Sequence, residues 1–130
     1  NKNNLLIFDG LLVRDEFKQK SPDLVLAFLK DYEQIARTFK QEPKEVVETM
    51  TKFLNVDEAA VMRSLNTFYP VPAREQLQSH WMGKPGEKDT GVLKTLQTQA
   101  QFLLESAQIS AMPKDLSGLV DSSFVAKMAA

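Results

Sequence analysis

The chain has 130 residues, with 16 Lys and Arg against 17 Asp and Glu, one His and no Cys, a length that fits one domain. Hydrophobic residues at 43% and charged residues at 25% exclude a disordered chain. The net charge of −1 lacks the Lys and Arg surplus that a phosphate backbone requires, so no nucleic acid is expected. No apolar run approaches the roughly 20 residues of a membrane-spanning helix, and the lack of Cys excludes disulfides, thiolate metal sites and Cys nucleophiles.

The chain opens Asn1-Lys2-Asn3-Asn4, with no starting Met and no basic-then-apolar leader. Asn1 therefore reads as a boundary left by cleavage, and the chain as part of a larger gene product. The next nine residues, Leu5–Val13, are the most apolar stretch, interrupted only by Asp9 and Gly10. Two readings compete. Asp9-Gly10 between apolar runs is a hairpin signal, pairing residues 5–8 with 11–14. Alternatively the run is one strand buried on both faces, with Gly10 at a bend. Neither version is a finished structure, because a lone strand leaves its backbone donors and acceptors unpaired.

Everything after this run reads as helix. Residues 14–20 form one short helix. Ser21-Pro22-Asp23 is a start signal: a capping oxygen, a preset φ at the first position, and an acid near the positive dipole end. Val25, Phe28, Leu29, Tyr32, Ile35, Ala36 and Phe39 then recur at spacings of three and four, predicting one core-facing stripe. Glu42-Pro43 restarts a helix whose face is Val46, Val47, Met50, Phe53 and Leu54. Asn55-Val56-Asp57 is a turn and cap, followed by a stripe of Ala60, Val61, Leu65 and Phe68. Tyr69-Pro70-Val71-Pro72 breaks the helix, and a short helical turn is expected within residues 73–82. Gly83-Lys84-Pro85-Gly86 breaks the chain again before Thr90, which caps a long helix with Val92, Leu93, Leu96, Ala100, Leu103 and Leu104 on one face. That helix is expected to end at residues 111–114. A turn at 115–120 precedes a last helix capped by Asp121 and carrying Phe124, Val125 and Met128.

Few residues suggest chemistry. His80 is the sole imidazole, and with no second His and no Cys a metal site has no recognisable ligand spacing, so no metal and no cofactor are expected. No G-x-S-x-G motif supports a catalytic triad. Gly83-Lys84-Pro85-Gly86-Glu87-Lys88 lacks the phosphate-loop spacing, and its proline removes a donor such a loop needs. Asp9 differs from these. It is the one charge inside an apolar run, and it sits either in a surface turn or facing a cavity where a cation satisfies it. An alkyl ammonium ligand suits the second case.

Taken in order, these pieces resemble the carboxy-terminal part of the solute-binding proteins of ABC importers for taurine, aliphatic sulfonates and nitrate-like anions. The similarity runs through Phe8-Asp9-Gly10-Leu11-Leu12-Val13-Arg14-Asp15-Glu16-Phe17, the Ser21-Pro22-Asp23 helix start, the Glu42-Pro43 restart and the cap at Phe53-Leu54-Asn55-Val56-Asp57. It continues in Phe68-Tyr69-Pro70, in Ala100-Gln101-Phe102-Leu103-Leu104-Glu105, and in the tail Asp115-Leu116-Ser117-Gly118-Leu119-Val120-Asp121-Ser122-Ser123-Phe124-Val125. It covers nearly the whole chain and rests on the ordered set rather than on one motif.

The resemblance implies a predominantly α fragment with one N-terminal β-strand, Leu5–Val13, inside an α/β two-lobed type II periplasmic binding protein fold. Residues 1–130 would then be the carboxy-terminal portion, comprising a returning crossover strand and a helical segment of the first lobe. The implied function is extracytoplasmic binding of a small organic anion such as taurine or an alkanesulfonate by lobe closure. Delivery is to ABC permease subunits, in the periplasm or at the outer face of the cell membrane, without enzymatic chemistry. Asp9 falls where taurine-type members place a carboxylate that holds the ligand's ammonium. The unpaired strand edge offers self-association. Two alternatives stand beside this. One is a helical protein-interaction domain built from residues 22–41 and 43–66, although these show no shared repeat consensus. The other is an enzyme of the related two-lobed pyrimidine-precursor class, for which no reactive centre is visible.

Overall fold

The computed structural model describes residues 7–130. Seven α-helices follow one another: α1 (Asp15–Lys20), α2 (Pro22–Gln41), α3 (Pro43–Leu54), α4 (Glu58–Leu65), α5 (Ala73–Gln76), α6 (Gly91–Glu105) and α7 (Ser123–Ala129). A 3-10 turn, Ser117–Leu119, lies between the last two. Their starts obey local rules. Pro22 and Pro43 occupy first positions of α2 and α3, where a missing N–H costs nothing. The Asp57 carboxylate accepts from the Ala60 amide at 2.8 Å to cap α4, and the Thr90 hydroxyl accepts from the Leu93 amide at 3.3 Å to cap α6. Asn55 ends α3 in the left-handed region at φ 52°, the conformation Asn tolerates better than most residues.

Three expectations about helix ends are corrected. Ser21 precedes α2 but its side chain makes no capping bond; its carbonyl instead receives the Leu24 and Val25 amides. α6 ends at Glu105, well before residues 111–114, because Ser106 bonds back to Phe102 and Ala107 turns to φ 56°. At α7 the Asp121 carboxylate accepts from the Ser123 amide at 3.0 Å, although Ser122 occupies the cap position.

The larger correction concerns the apolar run. The described residues are helical throughout their regular structure and contain no strand or sheet, which overturns both the Leu5–Val13 strand and the α/β two-lobed fold. Leu5 and Leu6 lie outside the described residues. Residues 7–13 are irregular and form no backbone hydrogen bond with other described residues. The physical reason is that a strand exists only through its ladder, and among the described residues no other segment forms a strand to pair with it. Hydrophobicity alone cannot supply a partner.

α2 is the hub. It packs against α1, α3 and α7, while α3 lies on α4 and α5 on α7. The buried side chains are mostly small: Val25 and Ala36 of α2, Val47 of α3, Val61 of α4, Val92 and Ala100 of α6, joined by Leu93, Phe124 and Val125. Larger apolar groups stay outside. Ile7 is 100% exposed, Leu12 96% and Phe53 86%, and Phe28, Ile35 and Phe102 are each more than half exposed. The predicted stripe of α2 is therefore split, with Val25 and Ala36 inside and Phe28, Tyr32 and Ile35 outside.

The accessible surface totals 9914 Å². A closed body of this mass exposes about 6,900 Å². The chain thus folds its helices but leaves much apolar surface uncovered.

Candidate functional site

Asp9 lies in the irregular segment ahead of α1. It is exposed and makes no hydrogen bond or ion pair with other described residues. Of the surface-turn and cavity readings, the described structure shows Asp9 exposed in an irregular stretch. It is anchored only through the chain that follows, where α1 is tied down at Lys18. That ammonium donates to the Asp121 carboxylate at 2.9 Å and lies 3.4 Å from Asp15. The contact joins the base of the segment to the start of α7 across 103 residues.

His80 is exposed and tilts against the Trp81 ring at 5.7 Å. Among the described residues, no group of three or more His, Asp and Glu gathers to hold a metal ion, and no helix is long and apolar enough to cross a membrane. The loop at residues 83–88 is not a phosphate cradle. Its Lys84 amide already donates to the Glu87 carboxylate at 3.0 Å, and Glu87 returns its own amide to the Lys84 carbonyl. The Glu87 carboxyl is held below the ordinary range by the Ser79 hydroxyl and then by that Lys84 amide.

The amino end of α6 is equally committed. Gly91 donates to the Ser79 carbonyl at 2.8 Å, Val92 to the Trp81 carbonyl at 3.0 Å, and Leu93 to Thr90. An anion approaching there finds the first three donors taken. Gly83 makes this closure possible. It is buried at φ +75°, and a Cβ there would stand 2.5 Å from the Thr90 methyl.

A second cluster fixes the break between α4 and α5. The Glu33 carboxylate of α2 accepts from the Ala73 amide at 2.9 Å, capping a segment 40 residues away. Glu75 accepts from Tyr69 at 2.8 Å and from the Trp81 indole at 3.2 Å, and Lys40 stands 4.6 Å over the Tyr69 ring. These ties shape the proline-rich loop and are structural.

One concavity is large. A cleft of about 580 Å³ opens between α6 and residues 112–117, lined by Leu93, Met112 and Leu116 together with Lys88, Lys114 and Asp115. Sequence reading did not single it out, because its walls come from α6 and from a loop some twenty residues later, and neither carries a motif. Comparison with family models, with curated proteins and with solved structures finds no match to the chain.

Proposed function

We propose that this chain is part of the extracytoplasmic solute-binding component of an ABC importer, one that takes taurine or an alkanesulfonate-like anion. The ordered residue series from Phe8 to Val125 suggests the family. The observation that carries the reading is the uncovered apolar surface, which includes exposed Phe28, Ile35 and Phe53 and Ile7, Leu11 and Leu12 of the segment before α1. Such a body is built to pack against further polypeptide.

In this reading no bond is made or broken. The sulfonate is held by uncharged and backbone donors; the α6 amino end is not among them, since its amides are satisfied internally. Asp9 offers a free carboxylate to the ammonium of an aminosulfonate. Ligand stabilises whichever state it binds best, by its difference in affinity between states.

The test is a melting scan of the full-length protein with taurine, ethanesulfonate and nitrate. Ligand at a hundredfold its Kd stabilises by about 2.7 kcal/mol. Taurine is expected to raise the midpoint in the parent protein and to lose that effect in Asp9→Asn, whereas ethanesulfonate, which has no ammonium, is expected to act equally on both. No shift with any of the three overturns the proposal.

A second reading is favoured by the exposed Phe28, Tyr32 and Ile35 on α2, a stripe at helical spacing that suits a helix-in-groove or helix-pairing partner. Here the chain is a helical protein-interaction domain. An upstream secretory leader in the coding frame supports transport; further helical pairs support interaction.

A further inference from the structure

We propose that the cleft between α6 and residues 112–117 binds a small organic monoanion carrying a short apolar tail. The inference rests on the cleft alone and stands whether or not the chain belongs to a transport protein.

The cavity of about 580 Å³ falls within the range of small-molecule sites, roughly 300–1,000 Å³. Its apolar lining comes from Leu93, which is buried, half-buried Leu116 and exposed Met112, among polar residues that include Thr98 and Gln101. Its rim carries two ammonium groups, Lys88 and Lys114, neither of which forms a hydrogen bond or ion pair with other described residues. Gln97 adds a side-chain amide from the exposed face of α6.

One carboxylate, Asp115, also lines the cleft and lies within electrostatic reach of Lys88, though it forms no ion pair with either cation. Asp115 accepts from its own loop, the Ser117 amide at 2.7 Å and the Ser117 hydroxyl at 2.6 Å. A smaller hollow of about 100 Å³ shares Lys88, Leu93 and Ser117 with the cleft, and its carboxylate, Glu87, accepts from the Lys84 amide at 3.0 Å. Two ammoniums against one carboxylate leave the cleft a net positive charge beside apolar Leu93, Met112 and Leu116, which selects an anionic head with a greasy tail. An organic cation meets two like charges, and a neutral alcohol forfeits both charge-assisted contacts.

The experiment is an amide-resolved NMR titration of the full chain with hexanoate, against acetate, 1-hexanol and hexylammonium. Saturable shifts at Leu93, Gln97 and Leu116 are expected with hexanoate, weaker ones with acetate and hexanol, and none with hexylammonium. Lys88→Gln and Lys114→Gln are each expected to weaken hexanoate by about fivefold; both side chains are exposed, so the fold is retained and unchanged helical circular dichroism verifies it. The proposal is overturned if hexanoate gives no saturable shift at these amides, or if hexylammonium shifts them as strongly. It also fails if acetate binds as well as hexanoate, or if the double variant binds hexanoate like the parent.

Discussion

The close approach at Gly83 gives the sharpest stability prediction. Gly83 and Gly86 both adopt positive φ, +75° and +84°, but a Cβ at Gly83 would meet Thr90 Cγ2 at 2.5 Å and Glu87 Oε2 at 2.9 Å, whereas a Cβ at Gly86 meets nothing within 4 Å. Gly86→Ala therefore isolates the conformational cost, about 1–2 kcal/mol for a left-handed residue with a side chain. Gly83→Ala adds overpacking against Thr90, which is 0% exposed and fixed as the α6 cap, so it cannot give way; about 1–3 kcal/mol more is expected. Urea unfolding followed by circular dichroism should rank parent, Gly86→Ala and Gly83→Ala in falling stability. Thr90→Ser keeps the capping hydroxyl and removes the offending methyl, so the double variant Gly83→Ala/Thr90→Ser should recover part of the added loss, a coupling of about 1–2 kcal/mol. Equal losses at Gly83 and Gly86, or strict additivity in the cycle, would refute the close-approach argument.

Three further outcomes are expected. Asp121 is held below the ordinary Asp range by the Ser123 hydroxyl and, after burial opposes it, by Lys18; Asp115 is held down by the Ser117 hydroxyl and amide. A carboxyl that binds its proton less tightly when folded contributes its full stability above the unfolded value and loses it as pH falls through the lowered native one. Urea midpoints should therefore drop on acidification through the carboxylate range, and Asp121→Asn should flatten that decline; an unchanged slope refutes it. Lys18 has the opposite sense, since Asp121 raises it, and its contribution is also lost as alkaline pH strips its proton. Glu33→Ala leaves the Ala73 amide without its acceptor and should cost about 1–2 kcal/mol, with faster hydrogen exchange at Ala73, whereas Glu33→Gln should be milder. Phe53→Ser, at an 86% exposed position, should change the chain's own stability by no more than about 0.5 kcal/mol; a larger loss would mean that this face is covered.

Much of the helical framework was legible because its signals are local. Pro22, Pro43, Asp57 and Thr90 act within three residues of themselves, and each begins the element it announces. Periodicity was less informative, since it marks an apolar stripe without saying what covers it. The stripe on α2 contains Val25 and Ala36, which are buried, and Phe28 and Ile35, which are not. The opening apolar run failed for a related reason: its composition matches a strand, but a ladder needs a second segment, and none exists among the described residues. At the candidate site, Asp9 was visible as an isolated charge, yet its surroundings were not. The Lys18–Asp121 and Glu33–Ala73 ties and the cleft beside α6 join residues too far apart for any local pattern to reveal.

The packing of α2 on α7 has a temporal consequence. Ribosomes emit polypeptide at about 5–20 residues per second, so the inner side of the second helix is synthesised several seconds before Phe124 and Val125 exist to shelter it. The α1, α3 and α4 contacts form between neighbours along the chain, whereas the α2–α7 contact must wait for α7. Until α7 is made, that side of α2 stays uncovered, so truncations that remove Phe124 and Val125 should leave it exposed.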